Sequence, residues 1–352
     1  MWSGGGEAPM FNSSEQSVAS SASQRTALSG TQRALLLMLA DPEPRTSTPV
    51  IATDADVWAV LDAARAHAVL PVVRRRLAEL CPSATTTLME KARLDVAILA
   101  GQSMRLMHVA RTIAAAFEHA GVRFSIVKGP VFAERLYPGP SDRPFTDVDF
   151  LVHHDDLDRA NALMSDMAFV SSEFADRPSE VFGEYKWEPP DRNNVLIELH
   201  ANLVHSPKLR ANLSLTYETL LRAGDGDPAA PAALMLVAAL HASMGHQFER
   251  LQLLVDVLQA ARYTARNFAE GNVFRACQDM GATLAVASAL DLAAASFSEP
   301  IARTLADRIC GSHLRIIAKA LVSPRLATRT QDSSASWRSW RRKIYREMLA
   351  RA

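Results

Sequence analysis

The spacing of hydrophobic positions changes twice along the chain. In "DADVWAVLDAARAHAVLPVVRRRLAEL", Val57, Val60, Leu61 and Ala64 recur at three and four residues, a helical stripe, and Pro71 suits the opening turn of a second helix. "QRALLLMLA" predicts an earlier helix halted by "DPEP". "TTLMEKARLDVAILAGQSMRLMHVARTIAAAFEHAG" keeps the helical period up to Gly121, a C-cap. Then the period shortens: Val122, Phe124 and Ile126 alternate with Arg123 and Ser125, which predicts a strand. "PVFAERLY" predicts a short helix entered at Pro130, and "PGPSDRP" a loop. "TDVDFLVHH" reads as a strand and "DDLDRANALMSDMAF" as a helix with an acidic first turn. "FVSSEF", "GEYKWEP" and "NVLIELHANL" read as further strands. From about residue 214 to about 322 the helical period returns, with breaks near Gly224 to Pro231, Gly271 and Pro300.

These elements predict an α+β fold, a small mixed-sheet core flanked by N-terminal and C-terminal helical regions. The expected divisions are a disordered tail over 1–24, rich in Ser and Gly, and a helical region over 25–120. An α/β core follows over 121–206, then a helical domain over 207–325 and a basic amphipathic tail over 326–352. In the tail, Trp337, Trp340, Ile344, Tyr345 and Leu349 alternate with Arg and Lys. Such a helix docks on the protein or lies on an anionic surface.

Composition narrows the classes. Of 352 residues 48% are hydrophobic and 22% charged, as in ordinary globular proteins. Lys+Arg and Asp+Glu both total 38, so no overall field draws the chain to a long nucleic acid. Cys81, Cys277 and Cys310 show neither metal-ligand spacing nor a disulfide framework and read as buried thiols. The most apolar stretch, "PAALMLVAALHASMGH", falls short of the roughly 20 apolar residues a membrane span needs, and a cytoplasmic location is expected.

The candidate chemistry sits around the shortened period. Strand alternation places Asp147 and Asp149 on one face, with Val148, Phe150 and Val152 on the other. Two carboxylates so close repel: they stand solvated at the strand entrance, one takes up a proton, or a divalent ion with oxygen ligands holds both. Glu198 and His200 share one face of "VLIELHANL". Were that strand to lie beside the Asp147–Asp149 strand, three carboxylates would converge, enough to hold two metal ions about 4 Å apart. Lys128 and Gly129 end the first strand where a helix begins, a turn suited to phosphate, and Lys128 and Arg143 are the nearest cations. His200 orients Glu198, meets the acceptor in its pocket, or is a satisfied, partly buried histidine. His241 and His246, five apart, are poorly spaced for a shared metal on a helix, though His241 can line an acceptor pocket. Asp256, in an apolar run, reads as half of an ion pair with Arg250 or with another helix, and His153 and His154 as loop residues.

In this order, "KGP", "LYPGPSDRPFTDVDFLV" and "IELHANL" resemble the DNA polymerase β-like nucleotidyltransferase superfamily, in particular its bacterial branch termed the uncharacterised nucleotidyltransferase family. The resemblance continues through "LMLVAALHASMGHQFERLQLLVDVLQAAR", with His241 and Asp256, and covers about residues 50 to 265. It implies that Asp147, Asp149 and Glu198 hold Mg²⁺, with Glu198 helping to deprotonate an acceptor hydroxyl. Lys128 and Gly129 then form the nucleotide-phosphate turn, and Arg143 neutralises triphosphate charge. The implied reaction moves a nucleoside monophosphate from an NTP to a hydroxyl of a small molecule or protein and releases pyrophosphate. Better-known members carry Gly-Ser or Gly-Gly at the turn, whereas this chain has Lys-Gly-Pro, and Asp147 follows Gly129 by 18 residues. That departure keeps open an inactive binding or scaffold protein; a toxin-like transferase acting on tRNA, and a metal-dependent phosphatase or nuclease using the same carboxylates, are the further alternatives.

Overall fold

The computed structural model describes residues 27–43, 52–81, 86–171, 183–191, 195–328 and 336–351. The tail expected over 1–24 lies outside them. Four helices open the described chain: α1 (Gly30–Ala40), α2 (Asp54–Ala66), α3 (Leu70–Leu80) and α4 (Thr86–His119). Capping boxes start the first two, Ser29 with Gln32 and Thr53 with Asp56, each satisfying N–H groups that a helix leaves unpaired. Pro71 sits in the first turn of α3, where its missing N–H costs nothing. Gly121, at φ 68°, takes the left-handed conformation just past α4.

The sheet follows. Its strands are β1 (Phe124–Val127), β2 (Asp147–Val152), β3 (Val170–Ser171), β4 (Glu184–Glu188) and β5 (Leu196–His200), in the order β1-β2-β5-β4-β3. Only β2 and β5 run parallel; the other neighbours are antiparallel. Helix α5 (Gly129–Arg135) leads away from β1, and α6 (Leu157–Asp166) from β2. On one sheet face Val148, Phe150, Val152, Ile197 and Leu199 pack with Phe117 of α4. Phe117, Phe124 and Phe150 meet with ring centroids 5.5–5.7 Å apart.

Beyond β5 the chain is helical: α7 (Pro207–Arg210), α8 (Tyr217–Ala223), α9 (Pro231–Leu240), α10 (Leu251–Arg266), α11 (Glu270–Asp279) and α12 (Thr283–Phe297). It continues through α13 (Pro300–Ile309), α14 (Leu314–Leu321), α15 (Pro324–Ala327) and α16 (Ser336–Leu349). The expected break near Gly271 falls at Phe268, with φ 52°, just before α11 begins. The helices on either side of the sheet in sequence share one apolar core, in which Leu36 and Leu61 join Leu236, Leu254 and Leu290. Val127 and Leu151 of the sheet belong to that same core, so the C-terminal helices cover the sheet face opposite α4. Tyr345 of α16 is fully buried in it, so this helix docks on the protein.

Candidate active site

The covered face carries the charges. In the register of β2 on β5, Asp149 stands opposite Glu198 and Leu151 opposite His200. In that of β4 on β5, Lys186 stands opposite Glu198 and Glu184 opposite His200. Side chains of directly opposed residues share a face, so Asp147, Asp149, Glu198, His200, Glu184 and Lys186 form one polar patch over three strands.

Within it every charge but one meets an opposite charge. Lys128 Nζ lies 2.5 Å from Asp149 Oδ1. His200 Nε2 lies 2.9 Å from the same oxygen and 3.4 Å from Glu198 Oε2. Lys186 Nζ donates to Glu198 Oε1 at 2.8 Å and lies 2.7 Å from Glu184 Oε1, whose Oε2 is 2.5 Å from His205 Nδ1. Asp147 alone of these carboxylates makes no hydrogen bond or ion pair among the described residues.

The titration behaviour follows from that arrangement. Burial and the neighbouring Asp149 push Asp147 up to about 6. Burial opposes ionisation of Asp149, but Lys128 and His200 outweigh it and hold its pKa below the ordinary value. Glu198 is likewise buried and is held low by His200 and Lys128. His200, disfavoured as a cation by burial, is raised to about 9 by Asp149 and Glu198. Its Nε2 thus sits between both carboxylates, an arrangement that favours the imidazolium.

Local sequence explains the placement. Lys128 has φ 56°, an uncommon value for a non-glycine residue, and ends β1 one residue after Val127, which pairs with Asp149. A Cβ on Gly129 would stand 3.3 Å from the Asp147 carbonyl oxygen, so the turn packs directly on the entrance of β2.

Two expected roles change. Arg143, read from sequence as a phosphate contact, is 4% exposed and donates from Nε and Nη2 to Asp256, at 2.7 and 2.8 Å. Its Nη1 donates to the Gly129 carbonyl at 3.4 Å. A buried guanidinium takes a carboxylate partner, and this one braces the Lys128–Gly129 turn instead of facing open space. Asp256 thus pairs with Arg143, not Arg250, and also accepts from the Tyr137 hydroxyl at 2.7 Å. His241 and His246 are brought together by a π-helical turn over His241–Gly245, in which a spacing of five closes one turn, and their rings lie 4.9 Å apart. Burial, then the charge of Lys128, holds His241 well below the usual histidine range, so it is neutral beside the patch.

Sequence reading missed Glu184, Lys186 and His205. Glu184 and Lys186 do share a face in "GEYKWEP", yet nothing local says that β4 lies beside β5. His205, in a loop, gives no periodic signal.

A family model described as "Uncharacterised nucleotidyltransferase" matches residues 53–298, more than half of the chain. The chain belongs to that family. Neither the curated proteins nor the solved structures gave a match. The protein is thus a nucleotidyltransferase enzyme with a mixed α+β core and helical flanks. Among its described residues, ligand atoms of Asp149, Glu198 and His200 lie within 4.8 Å of one another, as do those of Glu184, His200 and His205, and of His153, His154 and Asp155. The closest set around Asp149 therefore includes His200 where Asp147 was expected. Asp147 lies on the same strand face, and its uncompensated carboxylate supplies the hard oxygen donor that a divalent ion takes. No described helix is long and apolar enough to cross a membrane.

Proposed function

We propose that this nucleotidyltransferase has a DNA polymerase β-like core and transfers a nucleoside monophosphate from an NTP to a hydroxyl of a small molecule or protein, in the cytoplasm, releasing pyrophosphate. The observation that carries the reading is the pairing of Asp149 with Glu198 on adjacent parallel strands, with Asp147 uncompensated on the same face. Asp147, Asp149 and Glu198 are the residues that would hold Mg²⁺, which supplies Lewis-acid polarisation of the phosphoryl oxygens. Lys128 and Gly129 form the turn beside the phosphates. Arg143, braced by Asp256, acts on that turn as a positioning residue. His200 holds Asp149 and Glu198 in place, and neutral His241 lines the acceptor side.

The acceptor oxygen attacks the α-phosphorus, the bond to pyrophosphate breaks, and the hydroxyl proton leaves to a base on the protein. The test is incubation with each labelled NTP and Mg²⁺ on a broad acceptor panel that includes tRNA. Pyrophosphate release that disappears in Asp147→Asn and Asp149→Ala is expected. Nucleotide binding without turnover would mark a binding protein, and phosphate release without an acceptor a hydrolase.

A further inference from the structure

We propose that the Lys128 ammonium is a built-in cation of the carboxylate patch, standing in place of a second divalent ion, so that this site takes one metal ion and not the two that its three carboxylates suggest. The inference rests on the transferase reading above.

Three observations lead to it. Lys128 is 8% exposed and its ammonium lies 2.5 Å from Asp149 Oδ1, on the strand face that Glu198 and Asp147 share. A buried lysine needs a carboxylate partner, and Asp149 supplies it.

The position is enforced by the backbone. Val127 is locked opposite Asp149 in the β1–β2 ladder, Lys128 follows at φ 56°, and Gly129 packs against the Asp147 carbonyl. The Gly129 carbonyl is held in turn by Arg143, which Asp256 fixes from α10. A side chain launched from so restrained a residue is not a surface lysine in a passing contact.

The occupied oxygens set the number of ions. Asp149 Oδ1 is taken by Lys128 Nζ and His200 Nε2, Glu198 Oε1 by Lys186 Nζ, and Glu198 Oε2 faces His200 Nε2 at 3.4 Å. Asp147 is the carboxylate of the patch that meets no such partner among the described residues. A second divalent ion would have to displace one of these side chains from its oxygen.

Crystals of the wild-type protein and of Lys128→Met, each soaked with Mn²⁺ alone and with Mn²⁺ plus a non-hydrolysable NTP, test this by anomalous scattering. One Mn²⁺ peak in the wild type, with Lys128 still at Asp149, and two in Lys128→Met are expected. Two Mn²⁺ peaks in the wild type, with the ammonium displaced, would overturn the proposal. So would a single peak in both proteins. Should Lys128→Met fail to fold, the wild-type count with Mn²⁺ decides alone. Absence of nucleotide from crystals that hold one Mn²⁺ would strike the transferase reading and leave the ion count standing.

Discussion

Asp256 receives both arms of the Arg143 guanidinium, although 113 residues separate the two in sequence. The pair is buried on both sides, with side-chain exposures of 4% and 1%, and joins the C-terminal helix α10 to the loop before β2. Removing one partner leaves the other charge without compensation. Asp256→Ala is expected to cost about 3–5 kcal/mol in urea unfolding, and an apolar replacement of both residues to recover most of it. A loss below about 1 kcal/mol would show that the pair does not join the two regions.

Asp147 behaves in the opposite way. Its folded-state pKa, about 6, lies above the ordinary 3.8, so the stability linked to it is present below about pH 4 and lost as pH rises through 6. Asp147→Asn removes that cost. In metal-free buffer at pH 7.5 the variant should melt higher than the wild type, by about 1–3 kcal/mol at most, with the difference vanishing at pH 4. Nucleotidyl transfer should be lost at both. A lower melting temperature at pH 7.5 would mean that Asp147 already has a cation partner.

Glu184 carries the acid side of the profile. Burial opposes its charge, but the hydrogen bonds from His205 and Lys186 overcome it and set its pKa at about 2. Its contribution is present above the ordinary 4.5 and lost as pH falls toward 2. Glu184→Gln should flatten the stability curve over that window, by about 1–2 kcal/mol once solvent screening is allowed for. An unchanged curve would count against the bond to His205.

Burial raises the Cys277 thiol to about 12 and leaves it fully enclosed. Thiolate is the reactive form, so native labelling at pH 8 followed by mass spectrometry should leave Cys277 unmodified, with complete reaction in denaturant. Labelling in the native protein would place that thiol in an opening segment of α11.

Phe150 is fully buried between Phe117 and Phe124 on the face opposite the carboxylates. Phe150→Ala should cost about 3–5 kcal/mol, and because it lies next to Asp149 in β2 it should also weaken Mn²⁺ binding measured by titration. A stability loss without any change in Mn²⁺ binding would uncouple the core face from the site.

How much of this was legible beforehand differs from element to element. Hydrophobic spacing is a local property, so the helical stripe of α2, the alternation of β1 and β5 and the common face of Asp147 and Asp149 could be read from neighbouring residues. The assignment of Glu198 to the opposite face from Ile197 was equally local. Sequence order and motif together also pointed to the family. Strand neighbours are another matter. β5 lies beside β2 only because the chain passes through β3 and β4 and returns, and no residue near Glu198 encodes that return. The same return brings Lys186 and Glu184 alongside, and the C-terminal helices deliver Asp256 to Arg143. Periodicity determined which side of its own strand each charge occupies. Only tertiary packing decided which charges meet, because at buried positions desolvation makes each ionised group depend on a partner supplied from a distant part of the chain.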